Sequence, residues 1–187
     1  MNKSTPALMD KLGEQYEANK DIAKDVKSQV TTEADYNKIE SVGASAKELQ
    51  EAAKADLNFL AALCMPLVFK FMWPTHFVSA WQWLVEWAEK DRVFPQLALG
   101  LPRGFAKSTL MKLFLVYCIL FTNKKFILVL AATAKLAEAI IADVMDMLEE
   151  DNMVQVFGDW RVGVEKDTQG LKKFGFRGRT IIIAGLG

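Results

Sequence analysis

The chain has 187 residues with 23 basic and 23 acidic side chains, and 51% of its residues are apolar. This composition fits a globular core and not a disordered chain. Neither the charge of the first 60 residues, −3, nor that of the remainder, +3, indicates nucleic-acid binding. One histidine and two distant cysteines exclude a metal-ligand cluster of the zinc type. Cys64 and Cys118 lie in apolar runs, which favours buried reduced thiols over a disulfide.

The first 56 residues differ from the rest in charge and aromatic content. Residues 1–60 hold 8 basic against 11 acidic side chains, a net charge of −3, whereas the remainder holds 15 against 12, a net charge of +3. Residues 1–56 are rich in Ala, Lys, Asp and Glu. They predict a charged N-terminal appendage of two or three exposed helices.

The most apolar stretch, residues 59–73, contains Pro66 and Lys70 and is too short for a membrane span. It predicts a pair of buried helices broken at the proline. A helix follows in which five apolar residues share one face: Phe77, Trp81, Leu84, Val85 and Ala88.

Four tryptophans and the histidine lie in this helix or just before it. The helical spacing favours core packing over stacking on a base or docking a partner. Exposure of Trp83 or Trp87 would favour a docking surface. His76 is interpreted as a helix-start or packing residue in preference to an adenine contact. The tryptophans concerned are Trp73, Trp81, Trp83 and Trp87.

From residue 94 the pattern alternates between apolar runs of strand length and longer helical runs. It predicts a strand at 96–101, a helix at 108–121, a strand at 125–132, a helix at 133–150 with Thr133 as N-cap, and a strand at 179–187. This alternation indicates an α/β fold with a parallel sheet.

The segment "PRGFAKST", residues 102–109, lies between a predicted strand and a predicted helix. A phosphate-binding loop usually reads G-x-x-x-x-G-K-[S/T], and here Lys107 and Ser108 match while Ala106 and Leu101 replace the glycines. Such a loop aims backbone N–H groups at an anion on a helix N-terminus. Alanine at position 106 is tolerable if its φ is negative.

Each residue of the loop has a predicted role in nucleotide binding. Lys107 would neutralise the outer phosphates, and Ser108 would hold Mg²⁺ with Thr109 nearby. Arg103 could reach the γ-phosphate as an arginine finger in cis. The alternative is that Arg103 makes a surface salt bridge and that the lysine only begins a helix. The expected backbone donors are Gly104, Phe105 and Ala106.

Residues 161–179 carry a net charge of +4 and four glycines, which predicts a flexible basic loop or a hairpin. The segment could contact DNA phosphates without reading bases, or it could simply be solvated. The candidate DNA contacts are Lys172, Lys173, Arg177 and Arg179.

"PRGFAKST" between an apolar strand and an apolar helix resembles the Walker A region of large terminase subunits, the DNA-packaging motors of tailed bacteriophages. The strand and helix at 125–150 and the strand at 179–187 are similar to the segments that follow in that family. Residues 73–84 loosely resemble the segment with the adenine-side contacts. The resemblance covers about residues 70–187.

The resemblance implies a P-loop NTPase of the ASCE/RecA-like class, with residues 57–187 as an N-terminal portion of the ATPase domain. It implies ATP and Mg²⁺ as cofactors and Arg103 and Lys107 as catalytic residues. The implied function is ATP-driven translocation of double-stranded DNA into a procapsid. The implied partners are double-stranded DNA, the portal protein, the small terminase subunit and further copies in a ring, with no membrane. The implied location is the host cell cytoplasm, docked transiently on the procapsid.

The sequence also departs from the family. The Walker B strand with its terminal Asp and catalytic acid is not found, and the family's nuclease domain is missing. Four acids after residue 142 have helical spacing, which favours a solvated face over a metal site: Asp143, Asp146, Glu149 and Glu150. We therefore expect weak nucleotide binding and poor hydrolysis by this chain. A helicase-like translocase and a non-enzymatic interaction module remain as alternatives.

Overall fold

The computed structural model describes residues 45–68, 72–89, 98, 100, 102 and 104–187. The helices predicted before residue 45 and Arg103 lie outside the described residues. Of the strand predicted at 96–101, residues 98 and 100 are described, and neither is in a strand. The chain divides into two compact units, Met1–Leu60 and Ala61–Gly187.

Two short helices follow one another at the start of the described chain. Helix α1 is Ala46–Ala55, and α2 is Leu57–Cys64. Helix α1 begins with a capping box, since the Ser45 hydroxyl accepts from the Glu48 N–H and the Glu48 carboxylate accepts from the Ser45 N–H at 2.6 Å. Helix α2 ends two residues before Pro66, where the sequence predicts a break. The second buried helix of the predicted pair is not seen in the described residues, because residues 66–68 form a largely exposed turn and residues 72–74 are not helical.

Helix α3 is Thr75–Glu89 and α4 is Lys107–Phe121. The apolar face predicted for α3 is confirmed, because four of its five members are buried and only Val85 is partly exposed. Trp81 joins the two helices, with its ring edge-on to that of Tyr117 at 5.4 Å between centroids. Trp73 is also buried, whereas Trp83 is 39% exposed.

A four-stranded sheet and its helices form the rest of the second unit. The remaining elements are β1 Phe126–Leu130, α5 Ala134–Glu149, α6 Asp151–Phe157, a 3₁₀ turn Trp160–Gly163, β2 Val164–Thr168, β3 Leu171–Phe176 and β4 Arg179–Leu186. Helix α5 matches its prediction, including the cap, since the Thr133 hydroxyl accepts from the Leu136 N–H at 3.2 Å.

The sheet is mixed, which corrects the prediction of a parallel sheet. Its order is β1-β4-β3-β2, and only β1 and β4 are parallel. Strands β2, β3 and β4 follow one another through two-residue turns, and such short connections allow only antiparallel pairing. The long crossover from β1 to β4 makes the parallel pair. The basic segment is therefore a hairpin, one of the two forms predicted for it.

One face of the sheet is buried and the other is partly exposed along β1. Ile127 and Ile183 point into the core, and the Cα of Gly185 lies so close to α5 that a Cβ would meet Ala137 and Ile141 at 3.1 Å. On the opposite face the β1 side chains Phe126, Leu128 and Leu130 are exposed. None of the helices described is both long and apolar enough to span a membrane.

Candidate functional site

The loop before α4 has an unusual backbone. Gly104 has φ +81° and Ala106 has φ +46° and ψ +25°, in the left-handed region. The condition under which alanine is tolerable at position 106, a negative φ, is therefore not met. This conformation costs a residue with a Cβ about 1–2 kcal/mol of conformational energy, so the surrounding structure must hold Ala106 there.

The left-handed alanine changes how the helix begins. Ala106 is the N-cap of α4, and its carbonyl accepts from the Leu110 N–H at 3.0 Å. A left-handed residue followed by a right-handed helical one turns successive N–H groups into one concavity, the geometry that binds anions. The Ala106 methyl cannot cap the first N–H groups of the helix, which have no acceptor within it. The first N–H groups of α4 thus lie at the positive end of its helix dipole.

The side chains after Ala106 supply the other groups that the sequence predicts. The Lys107 ammonium reaches back over the loop and donates to the Pro102 carbonyl at 3.1 Å. Ser108 is exposed on the first turn of α4, and Thr109 is partly buried. The structure brings these groups together, while Arg103 lies outside the described residues.

Contacts at the other end of α4 fix the direction in which it runs. The Arg179 guanidinium, at the amino end of β4, donates to the carbonyls of Ile119 and Cys118 in the last turn of α4. The Lys112 ammonium pairs with Asp143 of α5, which runs back from the carboxyl end of β1. Because 15 residues of helix span about 22 Å, the start of α4 lies toward the carboxyl ends of β1 and β4. Ligands of open α/β sheets bind at that edge.

An aromatic side chain of the loop lies close to one of α3, and the sequence alone did not connect the two. Phe105 is 45% exposed, and its ring centroid is 6.3 Å from that of His76, which is exposed on the first turn of α3. His76 is a helix-start residue, as expected, but it also neighbours the loop. Their distance along the chain hides this contact from pattern analysis.

Two of the four acids considered above are paired with basic side chains. Asp143 is paired with Lys112, and the Glu149 carboxylate lies 3.4 Å from the Arg161 guanidinium. Burial raises the pKa of Glu150, with further contributions from neighbouring acids. In the part of the chain that the structure describes, no three metal-ligating side chains come together.

Each candidate DNA contact also has a partner within the protein. Lys172 pairs with Asp167 and Lys173 with Glu165, both across the β2–β3 hairpin. The Arg177 guanidinium lies 5.5 Å from the centre of the Phe157 ring. These contacts hold the basic side chains in place, and their binding to DNA stays a prediction.

Comparison of the chain with family models, with curated proteins and with solved structures finds no match.

Proposed function

We propose that this chain binds ATP with Mg²⁺ through residues 104–109, as part of an ATP-driven motor that moves double-stranded DNA into a viral procapsid. The observation that supports nucleotide binding is the left-handed Ala106 immediately before a 15-residue helix that begins Lys107-Ser108. This arrangement offers a polyphosphate the backbone donors, the ammonium group and the hydroxyl that it needs.

The energetics of the loop favour an anion. The start of α4 carries about half a positive charge from the helix dipole, to which the Lys107 ammonium adds a full one. A bound phosphate would replace the neutral Pro102 carbonyl as the acceptor for this ammonium, and the negative charge of the phosphate adds Coulombic attraction to the hydrogen bond.

The exposed hydroxyl of Ser108 fits a Mg²⁺ ion, which takes oxygen ligands and keeps several of its waters. When bound, the ion neutralises phosphate charge. Strand β1 ends in Leu130 and not in an acid that could activate water. For the described residues we therefore propose binding with slow hydrolysis.

The motor role rests on the resemblance of residues 102–109 to large terminase subunits. It brings the portal protein, the small terminase subunit and further copies in a ring as proposed partners. The α/β architecture and the position of the loop near the carboxyl ends of β1 and β4 are compatible with this role.

Calorimetric titration of Mg·ATP into the chain and into its Lys107→Ala variant tests the proposal. We expect at least about tenfold weaker binding in the variant, because loss of a charge-assisted contact is worth roughly 1.5–3 kcal/mol. Lys135→Ala is the matched control, since this exposed lysine is also in the first turn of a helix, α5. Equal binding in wild type and Lys107→Ala would remove the loop from the function.

A second candidate is a non-enzymatic interaction module, favoured by Trp83. This large side chain is 39% exposed on α3, and exposed tryptophan is common at protein interfaces. Failure of the wild-type chain to bind nucleotide in the same titration would favour this reading.

A further inference from the structure

Strand β1 lies at an edge of the sheet and has none of the features that usually protect such an edge. Among the described residues it pairs with β4 alone. Its sequence, FILVL, contains no proline and no charged side chain, and no bulge interrupts its register with β4. The opposite edge strand, β2, carries Glu165, Lys166 and Asp167 and has an irregular register. Charges and irregularities keep other strands away from an edge, so β2 is protected and β1 is not.

The direction of the β1 backbone groups follows from two hydrogen bonds to β4. The Lys125 carbonyl accepts from the Ile182 N–H at 2.8 Å, and the Ala131 N–H donates to the Leu186 carbonyl at 3.1 Å. Successive residues of a strand hydrogen-bond on alternate sides, so the odd-numbered residues from 125 to 131 face β4. The backbone N–H and C=O groups of the even-numbered residues therefore point to the edge. These residues are Phe126, Leu128 and Leu130.

The same three residues carry large apolar side chains that face solvent. Phe126 is 59% exposed, Leu128 44% and Leu130 71%. The register places Leu186, which is also exposed, beside Leu130 and so continues this surface onto β4. Parallel strands are almost always covered on both faces. We therefore expect a further element of protein beside β1.

We infer that β1 pairs with β1 of a second copy of this chain, antiparallel and about a two-fold axis at Leu128. Leu128 then lies opposite Leu128 of the partner subunit, and Phe126 lies opposite Leu130 of the partner subunit. The three residues that face the edge thereby form the hydrogen-bonded pairs of an antiparallel ladder, with their side chains as neighbours on one face. The inference does not depend on nucleotide binding, and this two-fold contact differs from the head-to-tail contacts of a ring.

Charge favours a second copy over a strand from a different protein. Complementary charges select a foreign partner, and β1 has none to offer. The chain holds 23 basic and 23 acidic side chains, so two copies do not repel each other through net charge. In the two-fold register Lys125 lies opposite Ala131 of the partner subunit, so the lysines do not face each other. Five residues bury far less than the about 800 Å² per subunit of a stable interface, so the dimer should be weak.

Sedimentation velocity across the micromolar concentration range tests the inference on the whole chain. The wild-type chain should show a reversible equilibrium between monomer and dimer. Leu128→Lys places two lysines opposite each other at the axis and should weaken the dimer at least about tenfold, because like charges directly opposite repel. Val162→Lys is the control, since this valine is 89% exposed in the turn before β2, at the opposite edge of the sheet. It should leave the dimer unchanged.

A pair of opposite charges tests the register separately. Phe126→Lys and Leu130→Glu should each weaken the dimer, because a charged side chain replaces an apolar neighbour at the edge. The double variant places each lysine opposite a glutamate of the partner subunit. It should dimerise about fivefold more tightly than either single variant.

Each contrary outcome overturns the inference. A wild-type chain that stays monomeric would leave the edge to another strand. A dimer or larger species that Leu128→Lys leaves intact, or that Val162→Lys weakens equally, would place the contact elsewhere on the surface. A double variant no tighter than the single variants would overturn the antiparallel register. None of these results alters the test of nucleotide binding.

Discussion

Replacement of Arg179 by alanine would release the C-terminal end of α4 from the sheet. The guanidinium donates to the carbonyls of Ile119, Cys118 and Lys124, the last two at 3.5 Å. The carbonyls in the last turn of a helix receive no hydrogen bond from within the helix. A cation placed there donates to them and is also attracted to the negative end of the helix dipole. Arg179 therefore anchors α4 in the direction that brings its first residues toward the carboxyl ends of the strands.

The size of the effect follows from these contacts. Hydrogen bonds to charged groups contribute about 1.5–3 kcal/mol, and the helix-end charge contributes about 0.3–1 kcal/mol at an exposed site. Partial burial of the guanidinium lowers its pKa, so desolvation offsets part of this gain. We expect Arg179→Ala to lower the free energy of unfolding by about 2 kcal/mol.

Urea denaturation followed by circular dichroism measures this loss. With a slope of about 2 kcal/mol per molar urea, the midpoint should fall by about 1 M. Lys173→Ala is the control, since Lys173 makes an exposed ion pair with Glu165 that is worth less than about 1 kcal/mol. A midpoint for Arg179→Ala no lower than that of Lys173→Ala would refute the anchoring role and with it this argument for the direction of α4.

Two further predictions concern packing and protonation. Gly163→Ala should lower the free energy of unfolding by about 1–3 kcal/mol, because its Cβ would lie 1.9 Å from the Gly175 carbonyl oxygen. Gly175→Ala is the control and should lower it little, because the nearest atom to its Cβ lies at 3.8 Å. Equal unfolding midpoints of the two variants in urea would contradict this prediction. Burial raises the pKa of Cys118 from 9.0 to about 12, so its contribution to stability is complete below pH 9 and is lost as the pH rises toward 12. The unfolding free energy should therefore fall more steeply above pH 9 in wild type than in Cys118→Ala, and parallel pH profiles would contradict the prediction.

Local sequence patterns predicted most of the second unit's helices and strands. The period of Phe77, Trp81 and Leu84 and the cap at Thr133 depend only on neighbouring residues, and the structure confirms both. Strands β1 and β4 also appear near their predicted bounds, because β-branched apolar runs have few alternatives in a buried sheet. The hairpin was one of two predictions for the basic segment, since the burial of Phe174 depends on tertiary packing that the local sequence does not report.

The candidate site was predicted in its residue types and not in its geometry. Lys107 and Ser108 were identified from their spacing, which a linear pattern preserves. The left-handed backbone of Ala106 was not, because alanine alone disfavours it and only the surrounding loop imposes it. The contact between His76 and Phe105 joins two elements that are distant in sequence, so no local pattern reports it.

The sequence by itself determined where helices α3, α4 and α5 and strands β1 and β4 form, because side-chain period, capping and chain stiffness act over a few residues. Tertiary structure alone decided that the sheet is mixed and that Arg179 holds the end of α4. It also decided that an aromatic pair stands beside the loop. Strand direction and side-chain contacts depend on how distant segments pack together, and the free energy of that packing is not encoded in any one stretch of chain.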